Sequence, residues 1–516
     1  MITKTLPALL ALVAALSFSG CVVYLNWDLD PAGTGGAGSA GGGSVCTPGA
    51  IVACYDGPAG TEGQGICKAG AKTCAPDRVR FGPCEGAIAP LTENCATPVD
   101  EDCDGLAPAC KGTFSWAKRF GDSSDQEARS IAVDAIGNVL LTGYVKGSID
   151  FGGGPLNGGV GDAWVAKLDP GGGHLWSNRF GGSSVQSGQS IATDSAGNVF
   201  ITGYFNGDGD FGGGVFVSTG PADVFIAKLG ADGTHLWSKS FGGEGIESSQ
   251  GLAVDSAGNV VITGHFSGSV DFGGGVLTSA GNQDVFVVKL SADGTHLWSK
   301  RFGDPSNQGG QGVAVDGAGN VLLTSYFNGT IDFGGGPLAS AGNKDVFVAK
   351  LDPGGAHLWS KRFGDADVQY ARSVAVDSAG NVIITGNFNG TIDFGGSSFV
   401  SGGGGDIFLA KLDANGAHVW SKAFGDANVQ DTTSVAVDAS GNMLITGSFL
   451  GTVYFGGGPL PSLGLSDMFL AKLDADGAHL WSQRFGNGND EAGVGVALDA
   501  GGNTLIAGYS SSLIDF

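Results

Sequence analysis

Tryptophan recurs along this chain at an almost constant interval. Trp116, Trp176, Trp237, Trp298, Trp359, Trp420 and Trp481 are separated by 60 residues once and by 61 residues five times. A fixed period of this length means that one supersecondary unit is copied in tandem and that neighbouring copies bury each other's apolar faces. Within the unit that begins near His357 there are four apolar runs: residues 357–363, 374–377, 382–386 and 406–412. Each is short, rich in Val, Ile and Phe, and bounded by Gly, Asn or Asp, which predicts strands. The unit leaves no room for helices.

The connectors are of two kinds. Ser378-Ala379-Gly380-Asn381 and Ala414-Asn415-Gly416-Ala417 are short, vary little between copies and place Gly or Asn where a hairpin needs a left-handed backbone. The other connectors, residues 365–373 and 387–405, are longer and more variable. In an up-and-down sheet the two kinds emerge at opposite ends, so the long loops gather on one side. Four antiparallel strands repeated at a fixed period predict a β-propeller, whose blades cover one another on both faces. The Ile407 and Phe408 run should then lie in a fully covered strand, the Trp run at the outer rim, and the small Val-Ala-Val run beside the axis.

The copies number seven Trp strands and seven strands ending at Asp134, Asp194, Asp255, Asp316, Asp377, Asp438 and Asp499, but only six of the Asp-Val-Phe type. The expectation is an all-β, seven-bladed propeller of four-stranded antiparallel blades. Its last blade is closed by the N-terminal Trp strand, residues 114–120, which leaves no open edge. That last blade lacks its third strand, so either the sequence is truncated or the blade is three-stranded.

Three segments now carry a resemblance. The run Ala-Val-Asp-Ser-Ala-Gly-Asn-Val with Thr-Gly at 253–264, Asp-Val-Phe-Val-Ala-Lys-Leu-Asp at 345–352 and Leu-Trp-Ser-Lys-Arg-Phe-Gly at 358–364 resemble the bacterial β-propeller repeat family abbreviated SBBP. The core also resembles NHL repeats. The resemblance implies a propeller on an exported bacterial protein and no common catalytic chemistry.

The N-terminal part sets an address. Lys4 precedes an apolar run from Leu6 to Leu16, too short for a crossing of about 20 residues but suited to a signal peptide. Phe18-Ser19-Gly20-Cys21 resembles a lipobox. Residues 1–20 are therefore read as a lipoprotein signal peptide, and residues 21–45 as a lipidated Cys21 with a Gly/Ala/Ser-rich tether. The mature chain is expected to be exported and lipid-anchored to the bacterial outer membrane or cell surface.

Residues 46–110 hold Cys46, Cys54, Cys67, Cys74, Cys84, Cys95, Cys103 and Cys110. An even set in so small an exported module predicts four disulfides, whose pairing is open. The module has neither a Cys-x2-Cys pair nor a histidine, which argues against zinc. Asp100, Asp102 and Asp104, followed by Gly105, place carboxylates as in the first half of a calcium loop, but Lys111 stands where an EF-hand has its bidentate Glu. With Glu93, this stretch resembles a metal-binding motif of bacterial surface proteins and makes Ca2+ the candidate ion. A disulfide-clamped acidic turn explains the same residues equally well.

Residues 111–516 form the repeat region. Over the whole chain Asp plus Glu outnumber Lys plus Arg by 50 to 26, a net charge of −24 that repels nucleic acid. His174, His235, His296, His357, His418 and His479 each stand two residues before a Trp, spread around the rim, and cannot share a metal. The Asp that ends each Val-Ala-Val run reads as a turn-closing acceptor before it reads as an axial cation ring. No nucleophile elbow, phosphate loop or Ser-His-Asp set is present.

Copies disagree at Trp164, His265, Ser325, Tyr370 and Tyr454, which fall in different units and predict no catalytic cluster. The function expected is non-enzymatic: a surface lipoprotein whose propeller binds a protein or glycan through its long-loop face. An outer-membrane assembly scaffold is one alternative. A second is a quinoprotein-like dehydrogenase, prompted by Lys-Leu-Asp-Ala-Asp-Gly-Ala-His-Leu-Trp at 472–481, which resembles that family's tryptophan-docking repeat but comes without a cofactor site.

Overall fold

A computed structural model describes residues 10–17, 47–55, 62–63, 66–76, 81–90 and 113–511. They fall into two compact units, residues 18–112 and the remainder. In the smaller unit Ile51–Cys54 pairs antiparallel with Gly70–Thr73. A disulfide joins Cys54 to Cys84, with Cα atoms 5.8 Å apart. Cys67 and Cys74 are buried and also disulfide-bonded. The lipidation candidate Cys21, the calcium candidates Glu93, Asp100, Asp102 and Asp104, and Cys46, Cys95, Cys103 and Cys110 lie outside the described residues.

In the larger unit six four-stranded antiparallel blades are built from repeat strands. The blade of Gln369–Val376, Val382–Phe388, Asp406–Leu412 and His418–Phe424 has its strands in that order. All seven residues of Asp406–Leu412 are buried, because the strand is covered on both faces. The first strands of successive repeats touch one another around the ring and form its inner layer. The Trp strand is the outer edge. The short turn at Gly380 has φ +82, a backbone position that glycine adopts without strain.

The expected seven blades are corrected to six, which run from Gln126 to Phe485. The two described strands of the last repeat, Glu491–Leu498 and Thr504–Ser510, do not make a blade of repeat strands alone. They share a composite sheet with Leu10–Ser17 and Thr113–Phe120, in which Leu10–Ser17 lies between Thr504–Ser510 and Thr113–Phe120. One strand of this sheet thus comes from outside the repeats, from the segment that the sequence assigns to a signal peptide. Leu505 and Ala507 of the sheet pack in one core cluster with Phe120, Ile131 and Trp164.

The long connector between the second and third strands is not open loop. In five copies it forms a hairpin of its own, as in Ser269–Asp271 with Val276–Thr278. Its Asp-Phe-Gly-Gly segment turns inward. Phe333 is 3% exposed and its ring lies 4.7 Å from Phe302 and 5.0 Å from Phe347. Asp332 Oδ1 accepts the Gly334 amide at 2.7 Å and closes the turn. Each such Phe contributes roughly 1.5–3 kcal/mol of burial. The segment that looked like surface is therefore part of the core.

Candidate functional site

The residues present in every copy hold the ring together. His357 Nε2 is 3.1 Å from Ser360 Oγ, and the ring packs on Gly334 and Gly335, where a side chain would collide with it. The same His and Ser pairing occurs at His174, His235, His296, His418 and His479. Trp359 Nε1 donates to the Ala414 carbonyl at 3.0 Å, a residue of the next blade. Asp316 Oδ1 accepts the amides of Ala318 and Asn320, both at 2.9 Å, which is the turn-closing role. Its other oxygen meets Lys350. These repeated groups are committed to structure.

The residues that vary lie elsewhere. One position of the second strand, just before its closing Phe or Val, is Tyr144, Tyr204, His265, Tyr326, Asn387 and Ser448 in the six blades and Tyr509 in the composite sheet, and all seven are half-buried. On the adjoining inner strand the residues opposite include Glu127, Ser187, Ser248, Tyr370, Asp431 and Ala492. Because the inner strands touch around the ring, these residues form a belt at the long-loop end of the inner layer. Electrostatic influence runs along it: Tyr509 is raised chiefly by burial and then by Glu127, Asp490 and Asp431. Tyr144 is likewise raised by burial first, with a contribution from Tyr204 of the next blade.

One stretch of the belt is continuous. Lys344 Nζ lies 4.3 Å from the Tyr326 ring centre and 4.8 Å from that of Tyr370, and 3.1 Å from the Tyr370 hydroxyl. The two tyrosine rings meet edge to face at 5.3 Å. Arg372 lies 5.5 Å from the Tyr370 ring on its own strand and reaches Asp431 of the next blade at 3.4 Å. Ring and cation alternate across the fourth and fifth blades, and the Asp431 carboxylate of the sixth ends the run. Burial pushes Asp431 up while Arg372 pulls it down, and burial prevails. Asn387 Oδ1, Arg372 Nε and Asp431 Oδ1 are buried polar atoms without a hydrogen-bond partner.

Blade four is built differently here. Where the other copies have Gly before the belt residue, it has Ser325. A side chain at the equivalent Gly264 would run into the Ser248 carbonyl oxygen. Blade four accommodates Ser325 by giving up inner-strand pairing: its first strand is only Gly312–Val315, against eight residues in Glu247–Val254. Gly309 and Gly310 occupy the released stretch, and Ser325 Oγ is buried without a partner.

Of the five departures noted in the sequence, Tyr370 packs against Tyr326, Ser325 precedes Tyr326 on the same strand, and His265 holds a belt position one blade away. Trp164 is fully buried in the core, and Tyr454 is exposed on a side hairpin. Sequence reading missed Tyr326, Lys344, Arg372, Asp431, Asn387 and Glu127. The signal was present as variation after an otherwise regular Thr-Gly, but only the ring brings its copies into one belt. Shallow grooves of about 410 and 560 Å³ at the outer edge are lined by repeated residues, among them Arg179 with His235 and Arg362 with His418. Among the described residues no three His, Cys, Asp or Glu gather as metal ligands.

The matching family model and a curated relative agree with the fold. Residues 175–212 match the SBBP β-propeller repeat family. An uncharacterized WD repeat-containing protein of Acanthamoeba polyphaga mimivirus is 22% identical over 513 residues, covering 78% of this chain and 36% of that protein. Regulatory protein FlaEY of Caulobacter vibrioides is 26% identical over 203 residues, 36% of this chain and 20% of that protein. The chain thus spans only about a third and a fifth of the lengths of these curated relatives. Among solved structures, Sqt1 of Chaetomium thermophilum aligns with a TM-score of 0.40 at 11% identity over 75% of this chain and 96% of that one. A calcium-binding regucalcin of Agrobacterium tumefaciens aligns at 0.31 and 10% identity, over 62% of this chain and 82% of that one. The repeat and the fold together make this chain a β-propeller repeat protein.

Proposed function

We propose that this chain is a non-enzymatic, lipid-anchored surface protein whose propeller binds a protein or glycan partner at the belt. The observation that carries the reading is the contrast within one ring. Histidines, tryptophans and turn aspartates repeat and are consumed by structure, whereas the belt residues differ from copy to copy at a position the scaffold leaves free. Variation on a rigid repeat is how such folds acquire a binding surface. The belt mixes tyrosine, Asn, Asp and Arg, which suits polar and aromatic contacts, and its groups form no nucleophile with a base. Fold alone names no ligand.

Export and anchoring rest on the apolar run before Cys21 and on the disulfide-rich composition of residues 46–110, in which Cys54–Cys84 is one bond. Calcium in that module rests on Glu93, Asp100, Asp102 and Asp104. Labelling cells with an alkynyl fatty acid should tag the wild-type chain and leave Cys21→Ser untagged. A glycan array and an affinity pull-down with the purified chain should then yield a ligand that Tyr370→Ala releases. A ligand retained in full by that variant would remove the belt from the reading.

A further inference from the structure

A glutamine recurs at the entry to the inner strand in five copies: Gln126, Gln186, Gln308, Gln369 and Gln430. In each, Nε2 donates to the main-chain carbonyl 20 residues further on, as Gln308 does to Asn328 at 2.9 Å. In four of them Oε1 accepts the backbone amide of an Asp, as Gln308 does from Asp304 at 3.3 Å.

Glu247 has this place in the third blade. Its Oε2 accepts the Gly243 amide at 2.8 Å, just as the glutamine oxygen accepts the Asp amide, so Oε1 takes the place of the amide nitrogen. By that correspondence its neighbour is the Ser267 carbonyl, the counterpart of Asn328. A second carbonyl belongs to the same place. In the second blade, where Gly182 stands as Gly243 does here, Gln186 Nε2 also donates to the Asp208 carbonyl at 2.8 Å, and the counterpart of Asp208 is Ser269. Gly243 and Gly245 lie so close to these carbonyls that a Cβ would come within 1.8 Å of the Ser269 oxygen and 2.0 Å of the Ser267 oxygen. Three oxygens thus meet where five copies bring an amide donor. Glu247 is fully buried, and its Oε1 has no hydrogen-bond partner.

Charge points the same way. The Glu247 amide donates to the Ala222 carbonyl at 2.8 Å, which sets Asp223 and Glu247 side by side where the second blade meets the third. Three blades balance the Asp with an Arg and add a neutral Gln, as in Asp345, Arg362 and Gln369. Of the six blades only the second has an Asp flanked by a Glu and by no Arg, because Ser240 takes the Arg's place. Two carboxylates are left with a net charge that a divalent cation balances. The arginines at this place are 25–41% exposed, so the short Ser240 opens a path from solvent to Asp223.

We propose that Glu247 Oε1 and the Ser267 and Ser269 carbonyls bind a divalent metal cation, with Asp223 supplying the second balancing charge. Every donor is a hard oxygen, which selects calcium, whose shell of about six to eight oxygens water completes. A proton on Glu247 satisfies one of the two carbonyls; a cation satisfies all three oxygens and both charges.

The test uses the full chain at pH 8, dialysed against chelator and then titrated with calcium chloride. Glu247→Gln rebuilds the side chain of five other copies, and Ser240→Arg rebuilds the arginine of four blades, so both variants should fold. Without calcium, Glu247→Gln should melt above the wild type. Millimolar calcium should raise the wild type by several degrees more than Glu247→Gln and so narrow or invert that order. Equilibrium dialysis with radioactive calcium should find one more ion per wild-type chain than per Glu247→Gln chain, and Ser240→Arg should bind that ion at least tenfold more weakly. Calcium held by Glu93, Asp100, Asp102 and Asp104 would be common to all three proteins, so the differences report on the ring alone. Equal uptake and equal calcium shifts in the wild type and Glu247→Gln overturn the proposal and leave a protonated Glu247 as the donor to the carbonyls. Full affinity in Ser240→Arg removes Asp223 from the site.

Discussion

Lys350 Nζ lies 2.9 Å from Asp316 Oδ2, and both side chains are only 6% exposed. The same ammonium donates to the Ala414 carbonyl at 3.2 Å in the next blade. One buried charge thus ties the third strand of its blade to the end of the first and to the neighbouring blade. All six blades repeat the ion pair near the short-turn face, and four of them show the bond to the next blade's carbonyl.

Removing one partner of such a pair is costly because the other stays buried and uncompensated. Lys350→Met should destabilise the propeller by about 3–5 kcal/mol, seen as a lower urea midpoint. The double variant Asp316→Asn/Lys350→Met, in which nothing charged is left behind, should recover more than half of that loss. Equal midpoints for the single and double variants would show that the ammonium acts mainly through the Ala414 carbonyl.

Two carboxylates of the ring respond to pH in opposite senses. Asp316 is raised by burial, but its hydrogen bonds to Asn320 and Lys350 outweigh that and hold it below its usual value. Its stabilisation is present above the unfolded-state value and is lost as pH falls through the lowered one. Glu247 stands where five other copies have Gln and feels the charge of Asp223, a carboxylate without the Arg that pairs with its counterpart in four blades, because Ser240 takes that Arg's place. Burial, with Asp223 adding to it, raises Glu247 from 4.5 to about 7, although the Gly243 amide pulls it down. Its penalty is absent below the unfolded value and grows as pH rises towards 7, reaching roughly 3 kcal/mol at about 1.4 kcal/mol per pKa unit. Glu247→Gln should therefore raise the melting temperature at pH 8 and leave it unchanged at pH 4. A uniform shift at both pH values would refute the assignment.

Glycine before the belt should not be interchangeable between blades. Gly264→Ser should destabilise by more than about 2 kcal/mol, since overpacking against the Ser248 carbonyl has no slack strand to absorb it. Ser325→Gly should be neutral or stabilising by about 1 kcal/mol, because a buried unpaired hydroxyl is removed. Thermal melts of the two variants decide the matter, and equal destabilisation by both would contradict it.

The alternation of Lys344 with Tyr326 and Tyr370 should matter to binding more than to folding. Tyr370→Ala and Lys344→Ala should each lower affinity for the partner at least tenfold while changing stability by about 1 kcal/mol, the scale of a partly exposed cation–π contact. Titration calorimetry read beside a melting curve separates the two effects. A loss of stability that matches the loss of affinity would place these residues in the scaffold.

Much of this was legible in the residues. The Asp-Val-Phe-Val-Ala-Lys-Leu run predicted a strand covered on both faces, and Asp345–Leu351 is buried throughout. The turn role of Asp316 was legible because Asp followed by Gly and Asn leaves a backbone amide to be capped. The buried partner of Lys350 was not, because 34 residues separate the two in the chain and only the blade brings them together. Phe333 looked like part of a variable loop, since nothing local says that a Gly-rich turn folds back into the interior. The belt was hidden for a related reason. Tyr326 and Tyr370 each look like isolated departures until adjacent blades place their rings 5.3 Å apart.

Periodicity and hydrophobic patterning by themselves determined the unit, its four strands, their antiparallel order and the tandem stacking, because these depend on neighbours within some 60 residues. How many blades form, and what completes the sheet where the two ends of the ring meet, depends on which strands are available across the whole chain. Counting copies led to seven; the tertiary structure has six and a composite sheet that takes in Leu10–Ser17. A strand edge is satisfied by any extended backbone of suitable register, so its identity is decided by what reaches it in space and not by the repeat that adjoins it.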